Sequence, residues 1–226
     1  MKAERFEIVS AKRAAVFLDR DGVINGYVMN ADFGTVDSPG NVGEFRLLAG
    51  AAEAVALLKR MGYLVIVVSN QPGVARGRFT PALLDAVTEK MKSEIAAQGG
   101  KLDAVYYCLH KDPAPGDVQA GCSCRKPKPG MLLEAAREHN IDLARSYMVG
   151  DGITDVLAGT RAGTKTIFVS GRKCYICEEL ERQNARPDFM VGSLLQAARL
   201  IESLESRRDD FPSHAELDAA FLPCRW

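Results

Sequence analysis

The chain has 226 residues, 47% hydrophobic and 26% charged, with Lys+Arg and Asp+Glu balanced at 29 each. That length suits one large α/β domain, or a domain plus a small appendage, and the charge balance leaves no overall field to draw nucleic acid or an acidic membrane. The opening Met1-Lys2-Ala3-Glu4-Arg5 leads into no apolar signal core, and runs such as Leu64 to Val68 are far too short to cross a bilayer, so a cytoplasmic protein is expected.

Along the chain, short apolar runs alternate with helical spacing. Ala14 to Leu18 reads as a strand buried on both faces, and Ala51, Val55 and Leu58 give a helix that Gly62 stops. Tyr63 to Val68 is a second buried strand. Thr80-Pro81 opens a helix to about Ala97, with Thr80 as N-cap and Pro81 in its first turn. Asp103 to Leu109 is a third strand, Pro129 to His139 a helix, Ser146 to Val149 a fourth strand and Thr164 to Val169 a fifth. Such alternation predicts a mainly parallel sheet with helices on both faces. Asn25 to Glu44, rich in Gly, Asn, Asp and Pro, is expected to form a flap or loop beside the site. Residues 1–202 are read as one domain with an inserted loop at 108–124, and 203–226 as a helix and tail with no evident role.

In parallel sheets, sites form at the carboxyl ends of strands. Each polar cluster here follows a strand. Asp19 and Asp21, in Phe17-Leu18-Asp19-Arg20-Asp21-Gly22, are paired carboxylates that point to a divalent metal, a proton-transfer role or both; a capped turn at Gly22 is the plainer alternative. Ser69-Asn70-Gln71 brings a hydroxyl and amides that can donate to an oxyanion. Arg125-Lys126-Pro127-Lys128 places three cations before a helix N-terminus, which suits a phosphate or simply a solvated basic loop. Asp151 and Asp155 follow the fourth strand. With Asp19 and Asp21 they make a carboxylate cluster that Mg²⁺ would fit.

Asp19-x-Asp21, Ser69, Lys126 and Asp151…Asp155, in that order after successive strands, resemble the haloacid dehalogenase superfamily of phosphohydrolases over roughly Arg13 to Leu200. The resemblance implies a Rossmann-like three-layer sandwich without a cap domain. It makes Asp19 the nucleophile that forms an aspartyl-phosphate and Asp21 the general acid and base. Mg²⁺ would be held by Asp19, the Asp21 backbone carbonyl and Asp151, while Ser69 and Lys126 bind phosphoryl oxygens and Asp155 supports the site from behind or caps its helix.

Cys108-x-His110 and Cys122-x-Cys124 flank an eleven-residue loop, Lys111 to Gly121. Residues i and i+2 on extended chain point the same way, so two such pairs make a closed Cys₃His set for a structural zinc. The loop has little core of its own, so metal would order it and position the cationic segment that follows. This insertion, with Cys-Arg-Lys-Pro after it, resembles the subfamily of heptose bisphosphate and histidinol-phosphate phosphatases. That likeness implies substrate contacts from Asn70, Arg76, Arg125 and Lys126 and a small phosphorylated sugar as substrate, with histidinol phosphate or another small ester as alternative. Gly152 stands where that subfamily often carries Lys after the fourth-motif Asp. A non-catalytic sugar-phosphate binder on the same fold is the reading from another class, and the Asp19/Asp21 pair argues against it. A monomer is expected.

The remaining candidates are plain. Cys174 and Cys177 lie in a helical-looking segment with no second ligand pair nearby, Cys224 is read as a free tail thiol and His214 gets no role. His139 looks like a partner for a helix C-terminal dipole.

Overall fold

A computed structural model describes residues 11–30, 35–111, 121–170 and 176–206. Its elements are β1 (Ala15–Leu18), β2 (Val28–Asn30), β3 (Thr35–Asp37), α1 (Ala51–Arg60), β4 (Leu64–Asn70), α2 (Pro81–Ala96) and β5 (Ala104–Cys108). There follow α3 (Gly130–Glu138), a 3₁₀ turn (Leu143–Arg145), β6 (Tyr147–Gly150), α4 (Ile153–Ala162), β7 (Lys165–Val169), α5 (Ile176–Arg182), β8 (Phe189–Val191) and α6 (Leu194–Ser206).

Six strands form one parallel sheet in the order β5-β4-β1-β6-β7-β8. The strand order reverses between β1 and β6, and the carboxyl ends that meet there carry Asp19 and Asp151. A crevice at such a reversal is where ligands bind in open α/β sheets. The register pairs Leu18 with Val67 and Val149, and Asp19 N–H donates to the Val149 carbonyl (2.9 Å), so the three strands deliver their terminal residues to one edge.

Side chains alternate between the two faces of the sheet. Val16, Leu18, Val65, Val67 and Val149 pack with α1, α2 and α6 on one side. Ala15, Phe17, Leu64, Ile66 and Met148 pack with α3 and α4 on the other. The result is the expected three-layer α/β sandwich with a parallel central sheet. Thr80 caps α2 through Leu83 N–H (3.2 Å), with Pro81 in the first turn. No helix among the described residues is long and apolar enough to cross a membrane.

Two features differ from the sequence expectation. The sheet has a sixth strand, β8, only three residues long and half-buried, which carries too little apolar alternation to be read from sequence. It is fastened by Asp188, which accepts from Thr166 N–H (2.6 Å) and Thr166 Oγ1 (2.8 Å). The Asn25 to Glu44 stretch contains an antiparallel hairpin, β2–β3, and among the described residues that is the only regular structure between β1 and α1. α6 packs on α1 and runs through the division placed at 202/203. Cys174, His214 and Cys224 lie outside the described residues, as does the tail from 207.

One buried hydroxyl fixes where β1 starts. Ser146 Oγ accepts from Ala15 N–H (3.0 Å) and donates to the Asp142 carbonyl (2.5 Å), with Ser146 fully buried. Ser146→Ala leaves the Ala15 amide without its acceptor, and urea denaturation should register a loss of about 1–3 kcal/mol. An unchanged midpoint would show that β1 does not depend on this bond.

Candidate active site

Four strand ends supply the site. Asp19 leaves β1, Ser69 lies near the end of β4, and Asp151 and Asp155 follow β6 at the start of α4. Lys126 arrives from the loop after β5. Its ammonium, 2% exposed, meets Asp155 Oδ1 (2.5 Å) and Asp19 Oδ1 (3.0 Å) and donates to the Val68 carbonyl (2.8 Å). Burial alone would lower the Lys126 pKa, but Asp155 and Asp19 raise it to about 12, so the group stays cationic. Burial pushes the Asp155 carboxyl up, against the pull of Lys126, and the nearby Asp19 and Asp151 add to the rise.

Asp19, Asp151 and Asp155 each offer a carboxylate oxygen within 4.8 Å of the others. Three carboxylates then face one ammonium, an excess of negative charge that a divalent ion would offset. A hard cation with few carboxylates, waters and a substrate phosphate is how Mg²⁺ is bound, so the donor set fits it. Gly22, at φ +83°, leaves the necessary room: a Cβ there would sit 2.2 Å from Asp151 Oδ2. Asp155 also accepts from Gly152 N–H (2.9 Å), while its own N–H donates to the Gly152 carbonyl (3.0 Å), which fixes the first turn of α4.

Asp21 lies in a cage of donors. Arg20 reaches both its oxygens (Nε to Oδ1, 3.2 Å; Nη2 to Oδ2, 3.1 Å), Asn25 donates to Oδ1 (2.8 Å), and Gln71 (2.7 Å) and Ser38 (2.8 Å) donate to Oδ2. Burial alone would raise the Asp21 pKa, but the Arg20 charge and the Asn25 and Gln71 amides hold it below the ordinary carboxylate value. Arg20 is itself wholly buried, with its guanidinium 5.6 Å from the centre of the Tyr107 ring and a bond to Gln71 Oε1 (3.0 Å). Gln71 Nε2 also reaches Ser69 Oγ (3.2 Å), so hydroxyl and acid/base candidate share one amide.

Sequence gave Arg20 no role and read Gln71 only as part of the Ser69-Asn70-Gln71 oxyanion group, and it assigned none to Asn25, Tyr27 or Ser38. Arg20 carried a signal, a charge between two Asp at the end of a buried strand. Tyr27, which donates to Asp151 Oδ2 (3.0 Å) and Oδ1 (3.2 Å), and Ser38 depend on the hairpin and gave none. Asn70 binds the Lys126 backbone in both directions: Nδ2 donates to the Lys126 carbonyl (3.0 Å) and Oδ1 accepts Lys126 N–H (3.0 Å). Its amide therefore docks the lysine loop onto β4. Arg125 is half-buried beside Lys126, and Arg76 is exposed on the turn after β4.

Cys108, His110, Cys122 and Cys124 converge as the spacing predicts. Cys108 and Cys122 sulfurs are 3.5 Å apart, Cys122 and Cys124 3.2 Å, and His110 Nδ1 is 3.6 Å from Cys108 and 3.3 Å from Cys124. A zinc tetrahedron with Zn–S about 2.3 Å has edges of about 3.5–3.8 Å, so donors already 3.2–3.6 Å apart need to spread by only a few tenths of an ångström to hold the ion. None of the three thiols is in a disulfide. Burial pushes the Cys108 and Cys124 thiols up, and the Cys122 sulfur adds to the rise in both, a direction that a bound cation reverses. The cluster is wired to the catalytic edge: Gln71 N–H donates to the Cys108 carbonyl (2.8 Å), and Gly130 N–H, opening α3, to the Ser123 carbonyl (3.2 Å). His139, at the end of α3, meets Tyr106 Oη (3.1 Å) and stays outside the site.

The HAD-hydrolase-like family model matches residues 123–197. The chain is 40% identical over 198 residues to the D-glycero-β-D-manno-heptose-1,7-bisphosphate 7-phosphatase of Pasteurella multocida, a match that covers 86% of this chain and all of that one. It is 43% identical to the enzyme of the same name from Photorhabdus laumondii, covering 84% of this chain and 96% of that one. Among solved structures, the D,D-heptose 1,7-bisphosphate phosphatase of B. bronchiseptica, complexed with magnesium and phosphate, matches with a TM-score of 0.69 and 32% identity, over 84% of this chain and 99% of that one.

The zinc geometry carries its own test. Reduced protein should hold about one zinc per chain by elemental analysis, and Cys124→Ser should lower zinc affinity steeply and activity with it, since Lys126 is two residues away. Full activity in zinc-free protein would contradict a positioning role for the cluster.

Proposed function

The chain belongs to the HAD-like hydrolases and, within them, to the family of the D-glycero-β-D-manno-heptose-1,7-bisphosphate 7-phosphatases, and from that premise we propose that it removes the 7-phosphate of D-glycero-β-D-manno-heptose 1,7-bisphosphate in the synthesis of nucleotide-activated heptose. The observation that carries this reading is the convergence of Asp19, Asp151 and Asp155 at the strand reversal, with the Lys126 ammonium held by Asp19 and Asp155 and the caged Asp21 beside them. A sugar-phosphate binder needs neither a nucleophile nor an acid/base two residues from it.

In this mechanism Asp19, whose side chain is partly open to solvent, attacks phosphorus through a carboxylate oxygen. The bond from phosphorus to the C7 oxygen breaks, and Asp21 gives that oxygen its proton. A water then loses a proton to Asp21 and attacks phosphorus, which releases inorganic phosphate and restores Asp19. In this reading Ser69 and Lys126 bind the phosphoryl oxygens, and Asn70, Arg76 and Arg125 contact the rest of the substrate. Mg²⁺ held by Asp19, Asp151 and the Asp21 carbonyl would offset charge on the phosphoryl group during transfer. The Arg20 pairing leaves Asp21 ionised at rest, so it serves directly as the base of the second step. To act as the acid of the first step it must take up a proton and turn from its cage of donors. The zinc cluster has no open coordination position to offer and is assigned a structural role. We place the protein in the cytoplasm, as a monomer acting on a small phosphorylated sugar.

Asp19→Asn should cut kcat by more than about a thousandfold, the scale seen when a nucleophile is removed. Measured side by side, kcat/KM should be highest for the β-anomer of the heptose bisphosphate, lower for the α-anomer and lowest for histidinol phosphate. A preference for histidinol phosphate would overturn the substrate, and undiminished turnover by Asp19→Asn the mechanism.

A further inference from the structure

The β2–β3 hairpin does more than border the site. Its register sets Val28 opposite Asp37, so Tyr27 and Ser38 are the flanking residues at its base. Both aim a hydroxyl inward. Tyr27 Oη lies 3.0 and 3.2 Å from the two oxygens of Asp151, and Ser38 Oγ lies 2.8 Å from Asp21 Oδ2. One small element thus touches a proposed metal ligand with one hydroxyl and the proposed acid/base with the other. The contact with Asp151 has room because residue 22 is glycine: a Cβ there would stand 2.8 Å from the Tyr27 ring as well as 2.2 Å from Asp151. The hairpin base is itself tied down. Asp37 pairs with Arg78, in the segment between β4 and α2, and accepts Ser38 N–H (2.9 Å).

We propose that Tyr27 and Ser38 form a two-hydroxyl clip, in which Tyr27 is a positioning residue for Mg²⁺ acting through Asp151 and Ser38 a positioning residue for Asp21. The proposal rests on the metal and acid/base roles given above. A carboxylate has two oxygens. When one takes the metal, the phenol keeps a bond to the other and fixes the direction of the ligand. Outer contacts of that kind typically govern metal affinity by 10–100-fold. The phenol is well suited because its hydroxyl carries one proton to donate and stands within hydrogen-bond reach of both Asp151 oxygens. Ser38 touches no metal carboxylate. Its loss should leave affinity alone and disturb proton transfer.

The test uses whole protein freed of Mg²⁺ by desalting with its zinc retained. Binding of Mn²⁺ is read by EPR of the free ion, and Mg²⁺ is then measured by competition. Tyr27→Phe, which keeps the ring, should raise the Mg²⁺ Kd by about 10–100-fold with no change in Tm of the metal-free protein. Ser38→Ala should leave Kd within about twofold while kcat at saturating Mg²⁺ falls by about 10-fold or more, a part of the roughly 10²–10⁴-fold that general acid–base catalysis contributes. An unchanged or tighter Kd in Tyr27→Phe overturns the clip, as does an equal rise in Kd in both variants, which would mean that the hairpin acts only as a cover. Wild-type protein that takes up no divalent ion at all overturns the metal reading and the clip together.

Discussion

The Lys126 ammonium, buried between Asp19 and Asp155 and bound to the Val68 carbonyl, is the contact on which the site depends. Without it three carboxylates would converge at the reversal of the strand order with no positive charge among them, and their repulsion would spread the strand ends or force them to protonate. With it, Asp19 is held against one cation and still keeps solvent access. A buried ion pair of this kind is poor evidence for stability, since desolvation consumes most of its Coulomb gain. It is better evidence for function. A stabilising core would place an apolar residue there.

Because the lysine comes from a loop, the rest of the architecture serves to hold that loop. Asn70 grips its backbone from β4 with two hydrogen bonds, and α3 opens on the Ser123 carbonyl. The Cys₃His cluster closes the segment two residues upstream. A zinc ion held by these four side chains would fix this segment on the sheet edge. On the other flank the β2–β3 hairpin reaches the carboxylates with hydroxyls. The sheet edge therefore sits between the Cys/His cluster on one side and, on the other, a hairpin joined by hydrogen bonds to Asp21 and Asp151.

Much of this was legible in the sequence. Asp19, Ser69 and Asp151 each follow an apolar run, and parallel strands deliver such residues to one edge whatever loops intervene. The Cys and His pairs were legible because a spacing of two on extended chain puts both side chains on one side. What stayed hidden depends on register across long separations. Ser38 and Asp21 are 17 residues apart, and Tyr27 and Asp151 are 124 apart. No periodicity marks either. β8 was missed because three half-buried residues do not make a pattern. The two bonds from Asn70 to the Lys126 backbone could not be read from sequence either, since the same amide can bind an oxyanion or a neighbouring peptide group.

The central claim is that this assembly makes Asp19 a nucleophile toward phosphorus. An acyl phosphate is reduced by borohydride to the alcohol, whereas a free carboxylate is not. Protein mixed with the heptose bisphosphate and Mg²⁺, quenched in acid within one turnover, then reduced and mapped by mass spectrometry, reports the site directly. The account predicts homoserine at position 19 and at no other aspartate. Unmodified Asp19 from enzyme caught in the middle of turnover, or reduction at a different residue, would contradict it.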